Sequence, residues 1–288
     1  MSKQPVSLTG GSVARGMLLF AVPIFFSNLF QQLYNAVDSL IVGNFLGGEA
    51  LAAVSSSGSL IFLMTGFVNG VSLGAGVLIA RHFGAKDKEA LSRAVHTTVA
   101  LGLAAGAALT LIGVVLTPQI LRWMGTPDNV IGSSVIYFRI YFIGSIPVVL
   151  YNVGASILQS VGDSRSPMYY LIAASLLNVV LDLLFIGGFH MGVGSAALAT
   201  ILSQALSAAL AFRKLSRSRE AYGLRWRQIR FHGPTLRAVV VQGVPSGIQN
   251  SVISLANVIV QANINSFGAQ AMAGCGAYSK VEGFAFLP

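Results

Sequence analysis

Long apolar runs dominate this sequence, and each of seven is long enough to cross a bilayer. They lie near residues 17–43, 51–80, 95–116, 131–157, 168–187, 194–212 and 238–265. A helix needs about 20 apolar residues to cross roughly 30 Å of hydrocarbon. Charged residues make up 9% of the chain, whereas soluble domains average about 25%. The pattern predicts an all-α polytopic membrane protein and disfavours a soluble helical bundle.

An eighth apolar run begins near residue 270 and is still apolar at Pro288. We therefore expect the sequence to stop inside a span. The first run is too long for a cleavable signal and lacks a small-residue cleavage site after it. We expect that run to be retained as the first span.

Basic residues indicate which side of the membrane each loop faces. If the N-terminus is cytoplasmic, 15 of the 18 Lys and Arg residues fall on the inner side, as the positive-inside rule requires. Arg122 and Arg139 fall on the outer side of the membrane, and Lys280 lies in the eighth apolar run. The net charge of +9 then faces anionic lipid, so we expect membrane lipid and not nucleic acid as its partner.

The chain contains an internal repeat. The segment from Val22 matches the segment from Val244 at an offset of 222 residues. Matched pairs are Pro23 and Pro245, Asn28 and Asn250, Leu33 and Leu255, and Asn35 and Asn257. Many secondary transporters consist of repeated six-helix lobes with the substrate path between them. We predict a complete N-terminal six-helix lobe at 1–212, a basic cytoplasmic linker at 213–237 and an incomplete second lobe at 238–288. Two parallel lobes, related by a pseudo-two-fold axis along the membrane normal, would require about 440 to 450 residues.

A polar stripe runs along the first span. Asn28, Gln31, Asn35 and Asp38 are spaced three, four and three residues apart, which places them on one face of a helix. A carboxylate at the bilayer centre costs about 2.5 to 3.5 kcal/mol on insertion scales. This face must therefore look at protein or water, because lipid would leave its polar groups unpaired.

The fifth span carries a second stripe of Ser175, Asn178 and Asp182. No Lys or Arg lies at mid-membrane depth in this half to neutralise Asp38 or Asp182. Two buried acids suit a site for a proton, which desolvation favours, or for Na⁺, which prefers carboxylate and amide oxygens. The sequence leaves both ions open and predicts no cofactor or other metal. The alternative is that these groups only bond helices together.

The seventh span keeps the stripe but not the acid. Asn250, Ser254, Asn257 and Gln261 continue it, whereas Val260 stands opposite Asp38 in the repeat. We infer that ion coupling belongs to the first half and that both halves line the substrate cavity.

Glycines along the second span predict that another helix packs closely against it. Gly66, Gly70, Gly74 and Gly76 recur along it, and glycines at such spacing permit close approach of another helix.

Four stretches carry a family resemblance. YNAVDSLIVGNFLGGEALAAV, GVSLGAGVLIARHFGAKD, QSVGDSRSPM and LNVVLDLLFIGGFHMGVGSAALAT resemble the multidrug and toxic compound extrusion (MATE) family of cation-coupled efflux transporters. The likeness covers essentially the whole chain and is closest to the bacterial subgroup with an Asp in the first span. It implies twelve spans in two lobes, and antiport of organic cations or amphipathic drugs across the cytoplasmic membrane against H⁺ or Na⁺. We expect the complete protein to be a monomer.

The resemblance also implies roles for single residues. Asp38, Asn178 and Asp182 fall on the coupling-ion site, and Pro23 falls where the first helix bends. Cavity-facing positions are Gln31, Gln32, Tyr34 and Asn35, to which the internal repeat adds Asn250, Asn257 and Gln261.

Three other functions compete with this interpretation. A lipid-linked oligosaccharide flippase of the same superfamily would need Lys and Arg in its cavity for pyrophosphate. An inactive transporter fragment would show no ion-driven transport. An intramembrane aspartyl protease would share one proton between two carboxyls, but the Gly-x-Gly-Asp pattern of such enzymes is missing, so we expect no enzyme.

Overall fold

The structure is a computed structural model that describes residues 13–285. Within that range only the backbone is described at 13, 15, 56–60, 62–64, 280 and 283–285. Lys3, one of the basic residues assigned to the inner side, and the last residues of the eighth apolar run lie outside the described residues.

The described chain is all α-helical. Its helices are α1 (Val13–Leu46), α2 (Gly48–Gly84), α3 (Lys88–Trp123), α4 (Asp128–Ile143), α5 (Ser145–Ser160), α6 (Arg165–Asp182), α7 (Gly194–Arg217), α8 (Gly233–Asn265) and α9 (Ala269–Ala285). A π-helical turn, Leu183–Gly188, extends α6, and a short 3-10 turn, Trp226–Gln228, lies between α7 and α8. The all-α prediction is confirmed.

Four of the described helices are by themselves long and apolar enough to span a membrane. They are Gly16–Leu46, Lys88–Trp123, the α6 segment Arg165–Gly188, and Gly194–Arg217, and the α4–α5 pair makes a fifth if it is one span. The helices α2, α8 and α9 stand where spans were predicted and are not among these; in α2 and α9 some residues are described by their backbone alone. In α8, the polar stripe lowers the mean hydropathy.

The predicted fourth span is broken. The helices α4 and α5 meet at Gly144 with a bend of 51°. Pro147 follows within the first turn of α5 and has no N–H to donate to Ile143. Gly144 also lies against α7, because a Cβ atom placed on it would be 2.3 Å from Ile201 Cγ1. The chain turns here at a glycine onto which another helix packs.

Helices extend into both ends of the predicted linker at 213–237. The helix α7 continues to Arg217 and α8 begins at Gly233. Basic side chains at the end of α7 interact favourably with the helix dipole, which supports this extension.

The helices α2 and α8 cross so closely that their backbones are in contact. A Cβ atom placed on Gly70 would lie 2.4 Å from Gly247 Cα, and one on Gly74 would lie 2.3 Å from Gly243 Cα. These four residues, which we call the glycine crossing, place α8 directly against α2. The prediction that glycines of the second span allow close helix approach is confirmed.

The helix pairs α1–α2 and α8–α9 resemble each other. Helices α1 and α8 have 34 and 33 residues, and each encloses a proline, Pro23 and Pro245. Each pair is joined through a glycine with positive φ, 85° at Gly47 and 88° at Gly268, a conformation that glycine adopts without steric cost.

Candidate functional site

Two carboxyl groups lie together inside the helical bundle. Helix α1 presents Asp38, and α6, which packs along α1, presents Asp182 at its last α-helical residue. The side chains are close enough to interact directly. Asp182 is fully buried, and Asp38 is 8% exposed. Because two close carboxylates repel, this pair favours uptake of a cation between them.

Asn178 lies one helical turn before Asp182 on the same face of α6. Its side chain is 1% exposed, and neither its amide oxygen nor its amide nitrogen has a hydrogen-bond partner among the described residues. The two carboxyl oxygens of Asp182 likewise have no hydrogen-bond donor among the described residues. Buried polar groups are nearly always satisfied. Oxygen atoms left without donors are available to a cation.

A small cleft of about 10 Å³ adjoins the Asn178 side chain. A volume of about 10 to 15 Å³ is what one water molecule needs. The cleft is bounded by Tyr34, Ser175 and Gln204 among others, so polar groups from α1, α6 and α7 surround it. One water molecule or one small cation fits its size and polarity.

A large cavity leads to this cleft. It has a volume of about 570 Å³ and is lined by residues of α1, α2 and α4 to α7, among them Asp38. Tyr34 and Gln204 line both the cavity and the cleft. Asp182 is fully buried and is not among the residues that line the cavity. The path inward therefore runs from the cavity to Asp38 and from there to Asp182.

No lysine, arginine or histidine is among the described residues that line the cavity. Arg139, the nearest basic residue by predicted depth, is exposed on α4. The described side chains of the cavity are uncharged polar, aromatic and apolar groups, with Asp38 as the one charged group among them.

The predicted stripe of α1 mostly faces this cavity. Gln31, Tyr34 and Asn35 line it with Asp38. Gln32 is not among the lining residues, and its placement in the substrate cavity stays a prediction. At 100° per residue Gln32 lies just past the arc that these residues occupy on α1.

The second-half residues lie elsewhere. Asn250 faces Gly66, with its Nδ2 atom 3.5 Å from the carbonyl oxygen, and Asn257 is exposed. Gln261 donates to Asn265 Oδ1 at 3.0 Å, and Asn265 in turn donates to a backbone carbonyl at the end of α3. None of the three lines the cavity described above, because α8 packs on the far side of α2. Their role in a cavity between two lobes stays a prediction, and Gln261 already has a structural partner.

Pro23 lies inside α1, which continues through it as one helix. Ser27 Oγ donates to the Pro23 carbonyl at 2.9 Å. Bending at this proline stays a prediction.

Sequence reasoning missed the aromatic wall of the cavity. Tyr137 and Tyr141 of α4 and Tyr151 of α5 line it. Their four-residue spacing on α4 was a signal, but tyrosines in apolar runs also mark membrane interfaces. For Gln204, the signal was a polar residue within the sixth apolar span.

These features define a multi-pass helical membrane protein with an acidic site inside a polar cavity. The MatE family model matches residues 23–184, and the chain belongs to this family.

Similar proteins agree with this assignment. The "Probable multidrug resistance protein YoeA" of Bacillus subtilis (strain 168) is 34% identical over 286 residues, covering 96% of this chain and 61% of that protein. A solved structure described as the inward-facing conformation of a multidrug resistance MATE family transporter of the MOP superfamily is 28% identical, with a TM-score of 0.80 over 87% of this chain and 57% of that one. A solved structure of the MATE multidrug transporter DinF-BH has a TM-score of 0.92 over 100% of this chain and 65% of that one, at 23% identity. The chain spans about three fifths of the length of the curated relatives it matches.

Proposed function

We propose that this chain supplies the first lobe, and the start of the second, of a cation-coupled antiporter that exports organic cations or amphipathic drugs. The observation that carries the proposal is the Asp38–Asp182 pair, buried beside an Asn178 amide that has no hydrogen-bond partner among the described residues. The Asn178 amide and the two carboxyl oxygens of Asp182 have no hydrogen-bond partner among the described residues, and a bound cation would satisfy these oxygens.

The coupling ion is H⁺ or Na⁺. It enters through the cavity, reaches Asp38 and is held between Asp38, Asp182 and the Asn178 amide oxygen. A proton would bridge the two carboxyls, whereas Na⁺ would use the carboxylate and amide oxygens, with the cleft beside Asn178 for part of its shell. Either ion removes net negative charge from the site.

The organic substrate occupies the large cavity. Tyr34, Tyr137 and Tyr141 offer aromatic faces, which attract cations, and Asp38 adds a negative charge at the inner end. When the coupling ion neutralises Asp38, the cavity loses that charge and releases the cationic substrate. The coupling ion and the cationic substrate therefore compete for Asp38, and this competition is the chemical basis of the antiport.

The remaining parts of the proposal concern the complete protein. It lies in the cytoplasmic membrane as a monomer with its N-terminus inside. Its two lobes rock against each other, and α1 bends at Pro23 to narrow the cavity. An oligosaccharide flippase is disfavoured, because the described cavity lining includes no basic side chain to bind pyrophosphate.

Ethidium binding by the purified 288-residue chain tests the proposal. Ethidium fluorescence polarisation should fall on addition of Na⁺ at constant pH if sodium is the coupling ion, and on acidification without Na⁺ if it is the proton. In Asp38→Asn and Asp182→Asn, ethidium binding should no longer respond to either ion.

Asp128→Asn is the matched control, because Asp128 is exposed in the first turn of α4. It should respond to ions as the unaltered chain does. Ion-dependent release that persists in both site variants would contradict the assignment of Asp38 and Asp182.

A further inference from the structure

The segment between α7 and α8 is fixed to the body of the protein. Leu224 is 1% exposed, and its N–H donates to the Leu215 carbonyl at 3.0 Å. The next N–H, that of Arg225, donates to Nε2 of the buried His96 on α3 at 3.0 Å. These bonds hold the segment in one position at the ends of α3 and α7. Its outward side chains therefore form a fixed surface.

This surface is basic. Five arginines between the last residue of α7 and the start of α8 are exposed, and we call them, with Trp226 and Phe231, the linker surface. The arginines are Arg217, Arg219, Arg225, Arg227 and Arg230. Glu220 is the one acidic residue in the same stretch. The ion pairs found among the described residues join Arg93 to Glu89 and Lys214 to Asp163, so none of these five arginines forms an ion pair within the described part of the chain.

Aromatic side chains interrupt the arginines. Trp226 is 61% exposed and Phe231 is 52% exposed, and Trp226 leans on Phe212 of α7 with ring centroids 5.9 Å apart. Tryptophan prefers the headgroup level of a bilayer, where an apolar ring and a polar N–H are both accommodated. Because the segment directly follows α7, one of the membrane-spanning helices, the linker surface lies at this level.

We propose that the linker surface binds anionic phospholipid headgroups of the adjoining leaflet. Clusters of four to eight basic residues beside a membrane helix attract such lipids. Exposed aromatic rings between the arginines fit a partner that presents phosphates above an acyl layer. A soluble polyanion would use the charges but would leave Trp226 and Phe231 without an apolar partner. The proposal is independent of what the cavity transports.

The two tryptophans of the chain make the test specific. Trp123→Phe leaves Trp226 as the single fluorescent reporter, and Trp226→Phe leaves Trp123, which stands at the opposite end of α3 from His96 and is 74% exposed. Each variant is reconstituted into bilayers of equal parts phosphatidylglycerol and phosphatidylcholine, with one lipid or the other carrying brominated chains. Bromine quenches only a nearby indole.

We expect Trp226 to be quenched more by brominated phosphatidylglycerol than by brominated phosphatidylcholine, with quenching constants that differ by about fivefold or more. High salt should remove the difference. The triple variant Arg225→Gln, Arg227→Gln and Arg230→Gln should also remove it. These arginines are exposed and outside the ion pairs given above, so thermal unfolding of the triple variant should match that of its parent.

Three results would overturn the proposal. Equal quenching of Trp226 by both lipids would show no headgroup preference. A preference that survives in the triple variant would place the lipid elsewhere. A shift of Trp226 emission with single-stranded DNA in detergent, without a preference for phosphatidylglycerol in bilayers, would identify a soluble polyanion as the ligand. The Trp123 reporter should show no preference in any of these experiments.

Discussion

Substitution of Gly74 by alanine should separate α8 from α2. The added Cβ atom would lie 2.3 Å from Gly243 Cα and 2.4 Å from Gly243 N, whereas ordinary contacts begin at 3.4 Å. Both obstacles are backbone atoms, so no side chain can rotate away. The two helices must move apart by about 1.1 Å, and contacts above and below the glycine crossing loosen with them.

The cost can be bounded. Overpacking a close contact costs about 1 to 3 kcal/mol, and alanine returns up to about 1 kcal/mol through its better helix propensity. We expect Gly74→Ala to lose about 1 to 2 kcal/mol of unfolding free energy. Thermal unfolding of the detergent-purified chain, followed by tryptophan fluorescence, measures the change.

Gly132→Ala is the matched control. Gly132 lies within α4, and a Cβ atom placed on it meets nothing within 4 Å. This variant should be neutral or slightly stabilised. If Gly74→Ala proved as stable as Gly132→Ala, the close crossing of α2 and α8 would be wrong.

Two further substitutions probe other contacts. Gly113→Ala should destabilise the chain by about 1 to 3 kcal/mol, because its Cβ would lie 2.1 Å from Cγ of the fully buried Phe142; unchanged thermal unfolding would contradict this. His96→Phe removes the acceptor of the Arg225 N–H, at a cost of about 1 to 3 kcal/mol for the unsatisfied donor. Trypsin should then cleave between α7 and α8 faster than in the unaltered chain, and an unchanged cleavage rate would count against the bond.

The membrane helices and the residues of the acidic site could be predicted from the sequence, because both depend on local periodicity. A carboxylate within an apolar run is costly wherever the run packs, so spacing alone predicts which residues share the face of Asp38. The same holds for Asn178 and Asp182. The structure adds that the two faces meet.

Features that depend on a second helix could not be predicted in the same way. The break at Gly144 needs the approach of Ile201 as well as the local proline. Gln261 and Asn265 are one turn apart on α8, so their bond is local, but the bond from Asn265 to the Met124 carbonyl depends on where α8 meets the end of α3. Tyr137 and Tyr141 could equally have faced lipid headgroups until α4 was positioned.

The fixed segment between α7 and α8 also limits how far the start of α8 can move from α3. Residues 218–232 number 15 and would reach about 50 Å if fully extended. Because Leu224, Arg225 and His232 are bonded to α7 and α3, almost none of that contour length is free. Helix α8 can therefore pivot about its first turn but cannot slide away from α3 unless the segment detaches. The connection fixes the position of the start of α8, whereas a flexible tether would set only a maximum distance.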